Sequence, residues 1–386
     1  MPAPRTVPWK MRRMKGKEVL DAIGVRDTFS VFANAFRQHE LDVIGQGWNR
    51  TRAKLEARLA DPKHSEATYD ALLKSYVDNV LYTHKAVMLW AVERSLAQAL
   101  ANELDAFVAQ DSPYRASYPL PLPSTLLNEP LPLGVPTAVD RSDGRHTLIY
   151  ASKRSITEEE VLPQESIPES LKGAGFTELV AKKKRIFPVF DSISVSPERG
   201  LVEMRIDQAK SMSEKDVFKY RETLRARFNA RASELLGVDN LLGNALNLVD
   251  ALHVLYSGKD WVVQRIGHVN EGGYINSNRG RHRTSDVRVD KYHKNGEAAI
   301  DHLQLWSISA VFNSPSKGSA PVLILEGHSS MLSAVEPFMD LARVIDCTSQ
   351  QDYDLVLGTL LNCLRPATAT APVLHTLSNA LASEPQ

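Results

Sequence analysis

The chain has 386 residues, of which 43% are apolar and 24% charged, and its 46 basic and 46 acidic side chains cancel to a formal net charge of zero. This composition excludes a disordered or fibrous chain and leaves room for two or three folded units. It also excludes a uniformly basic surface, although charge is segregated locally along the chain. The two cysteines, Cys347 and Cys363, are too few for a disulfide scaffold or a zinc site and predict a reducing compartment. No segment approaches the roughly 20 apolar residues that span a bilayer. Residues 1–17 lack the apolar run of a secretory leader. The expectation is a cytoplasmic protein, nuclear if eukaryotic, with no membrane partner.

Residues 1–17 form a basic N-terminal arm that carries Arg5, Lys10, Arg12, Arg13, Lys15 and Lys17 and no acid. Residues 18–110 read as a helical domain. Val19, Leu20 and Ile23 make one apolar face, and Val31, Phe32 and Phe36 a second; a third helix over 41–59 is interrupted by Gly45 and Gly47. The strongest periodicity lies in 66–109. Tyr69, Leu73, Tyr76, Val80, Val87 and Ala91 recur at helical spacing, and Leu96, Leu100, Leu104 and Phe107 continue the stripe. No proline or glycine interrupts it, so one long helix is expected, the spine of a bundle and a candidate surface for a protein partner or homo-oligomer. His84 falls on its stripe as a core or interface histidine.

Residues 111–140 form a proline-rich connector. Pro113, Pro119, Pro121, Pro123, Pro130, Pro132 and Pro136 stop helices and ladders alike. Leu120, Leu122, Leu131 and Leu133 alternate with them, so the connector is expected to dock along a domain surface.

Residues 141–366 read as an α+β domain. A strand is expected over 146–151 and a capped helix start over 156–161, with Thr157 as cap and Glu160 three residues on. Strands 186–195 and 201–207 should form a hairpin around Ser196, Pro197 and Gly200. A helix over 214–236 is bounded by Ser213 and Gly237. Its Arg221, Arg225, Arg227 and Arg231 flank the apolar face, with stems on the sheet and heads at the rim. A helix over 241–255 follows, then strands 261–269, 284–292, 303–312 and 322–326, a helix 333–342, a strand 344–347 and a helix 351–364. Residues 367–386 read as a flexible tail. The fold class is α+β: an N-terminal helical bundle followed by a C-terminal mixed, largely antiparallel sheet with packing helices.

The leading functional signal is basic. Arg279, Arg281, His282, Arg283, Arg288, Lys291 and Lys294 crowd one segment, with Tyr274 and Tyr292 at its edges. Lys182, Lys183, Lys184 and Arg185 are contiguous, and Lys10, Arg12 and Arg13 lie in the arm. A phosphate backbone needs several cations held together, and bases need aromatic or arginine platforms. The expectation is a DNA- or RNA-binding protein without catalysis or cofactor, a subunit of a larger genome-maintenance or defence complex. A protein-interaction scaffold or oligomeric subunit is the alternative from a different class.

The hairpin offers a third reading. Asp191 stands in its first strand and Glu203, Met204 and Arg205 in its second. Over residues 191–205 this resembles the PD-(D/E)xK nuclease pattern, which implies that Asp191 and Glu203 hold Mg²⁺ and that the cation of the motif steadies the attacking water. The chain departs from the pattern in placing Arg205 where it has lysine, and the simpler expectation is a surface hairpin with Glu203 and Arg205 on one face. Other motifs have simpler readings. Gly327, His328, Ser329 and Ser330 read as a capped helix start, and His253 and His268 have no partners at metal-ligand spacing.

Overall fold

The computed structural model describes residues 16–364 apart from 27–28, 40, 42–44, 143, 175–177, 209–211, 301 and 315–317. The front of the chain is helical: α1 (Gly16–Arg26), α2 (Phe29–Gln38), α3 (Trp48–Ala60) and α4 (Ser65–Tyr82). The chain then enters the sheet earlier than the periodicity predicts. Thr83 ends α4, His84 takes a left-handed φ of 52°, and β1 (Lys85–Ala91) follows, before α5 (Arg94–Phe107). The single long helix expected over 66–109 is therefore two helices around a strand. The reason is physical: Ala86, Val87, Met88, Leu89 and Trp90 are all buried. A strand covered on both faces is apolar at every position, and such a run satisfies a helical period as readily as a strand period.

The connector carries two short helices, α6 (Pro113–Ser117) and α7 (Ser124–Leu127), and leads into β2 (Val135–Ser142). It docks as expected. Tyr114, Tyr118 and Leu122 are buried, and Leu120, Leu126 and Leu131 pack against the core. Then come β3 (Arg145–Leu162), α8 (Glu169–Gly173), β4 (Leu179–Ser196), β5 (Leu201–Asp207), α9 (Glu214–Leu236) and α10 (Val249–Ser257). The last elements are β6 (Trp261–Val269), β7 (Ile275–Arg279), α11 (Lys291–Glu297), β8 (Gln304–Phe312), β9 (Val322–Glu326), β10 (Ala342–Ile345) and α12 (Gln350–Cys363). The ten strands form one sheet in the order β2-β3-β4-β5-β1-β10-β9-β8-β6-β7, and every neighbouring pair is antiparallel. The fold is thus mixed helix and sheet with a large antiparallel sheet. Helices α1–α4, α10 and α12 contribute to the core on one face, and α5 and α9 to that on the other. Among the described residues no helix is long and apolar enough to cross a membrane.

The β4–β5 hairpin forms as predicted, with Gly200 in the left-handed region at φ 59°. Helix α9 starts on the Ser213 cap and ends at Gly237, also left-handed. Its arginines reach acids and carbonyls: Arg221 pairs with Asp340, Arg225 with Glu222 and Arg231 with Glu234, while Arg227 donates to the Leu133 carbonyl.

Four other expectations are corrected. Residues 156–161 are strand, because β3 runs against β4 with Glu159 opposite Lys182 and Glu158 opposite Lys183, and opposite charge across the ladder outweighs the low strand preference of glutamate. Residues 241–248 are irregular: the Leu246 N–H donates to the Leu89 carbonyl of β1 and Leu248 N–H to Met339, bonds a helix would have kept internal. Residues 334–341 hold no helix, and the strand expected at 344–347 begins at Ala342. Residues 284–292 are not a strand. Asp286 accepts the Arg288 N–H and opens a 3₁₀ turn, and Asp290 accepts the His293 N–H and caps α11. The alternating aspartates are caps.

Beneath the front helices β5 presents Glu203, Arg205 and Asp207 on one face, all buried. The Asp207 carboxylate accepts from Arg26 of α1 at 2.9 and 3.1 Å and from the Phe190 N–H at 2.8 Å, and pairs with Lys85 of β1 at 3.2 Å. Burial opposes its charge, but Arg26 and Lys85 outweigh burial and hold its carboxyl well below the ordinary aspartate range. Burial pulls the Lys85 ammonium down to about 8, against Asp207. Asp207→Asn leaves two buried cations short of their counter-charge. It is expected to lower stability by about 3–5 kcal/mol at neutral pH. With a depressed folded pKa, Asp207 contributes stability that is full above about pH 4 and lost as pH falls through the folded value. Urea titrations over a pH series should therefore show a shallower acid loss in the variant than in the wild type.

Candidate nucleic-acid interface

The far edge of the sheet is built by a hairpin and a short helix. Gly273, at φ 78°, turns β6 into β7, and β7 pairs with β6 alone. Along β7, Ile275, Ser277 and Arg279 are exposed, while Asn276 and Asn278 are half-buried. Asn278 Nδ2 meets His293 Nδ1 at 3.2 Å, which ties α11 to the strand. His293 Nε2 lies 2.8 Å from the Tyr256 hydroxyl, which donates to Glu297 at 2.8 Å. The hydroxyl therefore accepts from His293 Nε2–H, so the neutral Nε2–H tautomer leaves Nδ1 free to accept from Asn278. His268 sits with its ring centroid 6.0 Å from that of His293, and burial first, then His293, lowers its pKa. This buried chain fixes which way α11 faces: His293 points in, and Lys291, Tyr292 and Lys294 point out.

The seven residues of the predicted basic segment do different things. Arg288 is structural. It binds Asp286 at 2.6 Å and donates to the carbonyls of Tyr256, Trp261 and Gly258. Arg283 pairs with Asp346. His282 is exposed on the loop. Arg279, Arg281, Lys291 and Lys294 are exposed and have no ion-pair partner among the described residues. Around them stand Tyr274, Ile275, Val289 and Tyr292, exposed by 71, 62, 67 and 85%. These are four of the twelve exposed large apolar side chains described in the chain. One segment thus combines unpaired cations with exposed rings. Ile275 and Val289 were not singled out from the sequence, although an isoleucine beside a glycine turn was a visible signal.

The other basic clusters lie elsewhere. Lys182, Lys183 and Lys184 are exposed on β4, where it pairs with β3 beyond the reach of β2 and β5. Lys182 binds Glu159 at 2.9 Å, and the register sets Lys183 against Glu158, Lys184 against Thr157 and Arg185 against Ile156. Along this ribbon Lys182 and Glu159 form an ion pair. The sheet order separates β4 from β7 by seven strand spacings, about 34 Å along an idealised sheet. Lys10, Arg12 and Arg13 lie outside the described residues. The two described clusters therefore do not merge into one patch.

The hairpin candidates are also placed. Asp191 follows the register of Ile193 and Val195, on the α9 side, and binds Arg154 at 2.6 and 2.7 Å; Arg154 stacks 4.2 Å from the centroid of Tyr220. Glu203 and Arg205 lie on the opposite face, where Glu203 accepts from Arg205 and from the Tyr353 hydroxyl of α12. Burial raises Glu203, but Arg205 and Arg145 outweigh it and hold the carboxyl below its ordinary value. The expected surface hairpin is thus a buried one, and it does not bring the two carboxylates together. No group of three or more His, Cys, Asp or Glu side chains able to hold a metal occurs among the described residues. The expected free thiols are both buried.

A cavity of about 1480 Å³ opens between α1, the connector and β2, lined among others by Glu18, Asp21, Asp105, Asp111 and Tyr118. Arg115 and Arg141 also line it, and Arg141 pairs with Asp105. No protein-family model and no curated protein sequence matches the chain.

The division of labour among the arginines is measurable. Arg288→Ala is expected to lower stability by about 2–3 kcal/mol, from lost charge-assisted bonds to a carboxylate and three carbonyls. Arg281→Ala should stay within about 0.5 kcal/mol of wild type. Urea midpoints at constant slope distinguish the two.

Proposed function

We propose that the chain binds nucleic acid through the β7–α11 edge, without catalysis. The observation that supports this reading is the grouping of Arg279, Arg281, Lys291 and Lys294 on one edge, exposed and unpaired among the described residues. Cations without internal partners are free to neutralise phosphates. The counterions condensed on the phosphate chain are then released, and this release drives association. Arg288 neutralises Asp286, and the four cations outnumber the remaining acids beside them, Glu271, Asp290 and Glu297. The edge therefore keeps a small positive balance in a chain whose formal charge is zero.

The β3–β4 ribbon is a secondary contact in this reading, since Glu159 already satisfies Lys182. The scaffold alternative rested on a continuous helical face over 66–109, and β1 interrupts that face with buried residues. The nuclease alternative needs Asp191 and Glu203 to share a metal, and the hairpin directs them to opposite faces.

Filter binding over a salt series tests the proposal. Four phosphate contacts predict that the logarithm of affinity for a mixed-sequence duplex falls against that of salt with a slope of about −3 to −4. The double variant Arg281→Ala, Lys294→Ala should reduce the slope by about 2 and leave folding unchanged. Absence of retention on a nucleic-acid column at low salt would overturn it.

A further inference from the structure

The exposed rings at this edge say more than the cations do. Tyr292 is 85% and Tyr274 71% exposed, and neither hydroxyl has a hydrogen-bond partner among the described residues. Exposed aromatic faces carry stacking energy that a folded chain leaves unused. The nearest candidates for such a face are the faces of nucleobases. In a duplex those faces are covered by their neighbours, and only base edges are offered in the grooves. In a single strand they are open.

The shape of the edge points the same way. Reading a major groove needs a helix or ribbon that stands clear of the domain. Helix α11 has seven residues, about 10 Å of length, and its His293 is locked inward against Asn278 and Tyr256. Segment 284–292, expected as a strand, holds a 3₁₀ turn at Val287–Val289 tied down by Arg288. Neither can enter a groove. What the edge offers is a shallow track. Tyr274 lies at one end of β7; Asn278, where α11 docks, lies about 13 Å along the strand. Lys291, Tyr292 and Lys294 stand on α11, Arg279 ends β7 and Arg281 lies two residues beyond it. Exposed cations and rings therefore share one edge of the sheet, the two kinds of group that phosphates and open bases need.

We infer that the β7–α11 edge is a binding site for single-stranded nucleic acid, with bases stacking on Tyr292 and Tyr274 and phosphates on Arg279, Arg281, Lys291 and Lys294. This inference rests on the proposed nucleic-acid function and narrows it to one substrate class. His293 is a positioning residue: through Asn278 and Tyr256 it holds the outward orientation of Tyr292.

Fluorescence anisotropy with labelled oligothymidylate, oligoadenylate and a mixed duplex tests it in the full chain. Tyr292→Ala and Tyr274→Ala should each weaken single-strand binding by about fivefold to a hundredfold, the range for loss of one base–aromatic stack, and change duplex affinity less than twofold. Tyr292→Phe, which keeps the ring, should bind as wild type. Both tyrosines are largely exposed, so thermal unfolding of the variants should match wild type. Equal affinity for single strand and duplex, or tyrosine variants that bind single strands normally, overturns the single-strand inference and leaves nucleic-acid binding standing. Failure to bind either oligonucleotide or duplex at low salt overturns both.

Discussion

One carboxylate joins the helical front of this protein to its sheet. Asp207, at the end of β5, is met by Arg26 from α1, Lys85 from β1 and the Phe190 N–H of β4. A buried charge is tolerated only where such partners replace water. Arg26 and Lys85 come from segments distant in sequence, so this one carboxylate ties α1 and β1 to the end of the β4–β5 hairpin. Asp191 completes the arrangement from the other face: its carboxylate accepts the Asp207 N–H at 2.8 Å. At the point where β4 and β5 diverge, two side-chain carboxylates thus take over the bonding that the ladder no longer supplies.

The neighbouring charges on β5 repeat the logic toward the C-terminus. Arg205 lies against the neighbouring rings of Tyr82 and Tyr353, 5.4 and 4.5 Å from their centroids, and binds Glu203. Arg145 adds a second cation near Glu203 and itself pairs with Asp354 of α12. Helices α4 and α12 are therefore oriented over the centre of the sheet by polar contacts as well as apolar ones. These groups pair with one another and are largely buried, and Arg145 Nε and Nη1 and Arg205 Nη2 are buried with no hydrogen-bond partner among the described residues. The densest collection of charge in the molecule is thus architectural, and the chemistry available to a ligand lies at the edges.

The two ends of the sheet treat basic residues in opposite ways. At the β3–β4 end the ladder register sets Glu159 opposite Lys182, and the two form an ion pair. At the β7 end Asp286 binds Arg288 and Asp290 caps α11, while Arg279, Arg281, Lys291 and Lys294 face outward. The same residue types are therefore paired across a ladder in one place and left exposed in the other. Sequence density of lysine and arginine did not separate these cases, because the partner strand decides them.

The sequence by itself determined the elements whose signals are local. The β4–β5 hairpin follows from proline and glycine at a turn, α9 from Ser213 and Gly237, and the docked connector from leucines set between prolines. Tertiary structure decided the rest. Residues 85–91 are strand because they are covered on both faces, and an all-apolar run has no period of its own. The polar alternation of β5 read as a solvent-facing side, yet that side lies beneath α1, α4 and α12, since alternation reports that two faces differ and not which of them meets water. At the candidate site the basic segment and its tyrosines were legible, while the split between Arg288 as a half-buried tie and Arg281 as an exposed cation was not. That split depends on the carbonyls of Tyr256, Gly258 and Trp261, which only the fold brings to Arg288.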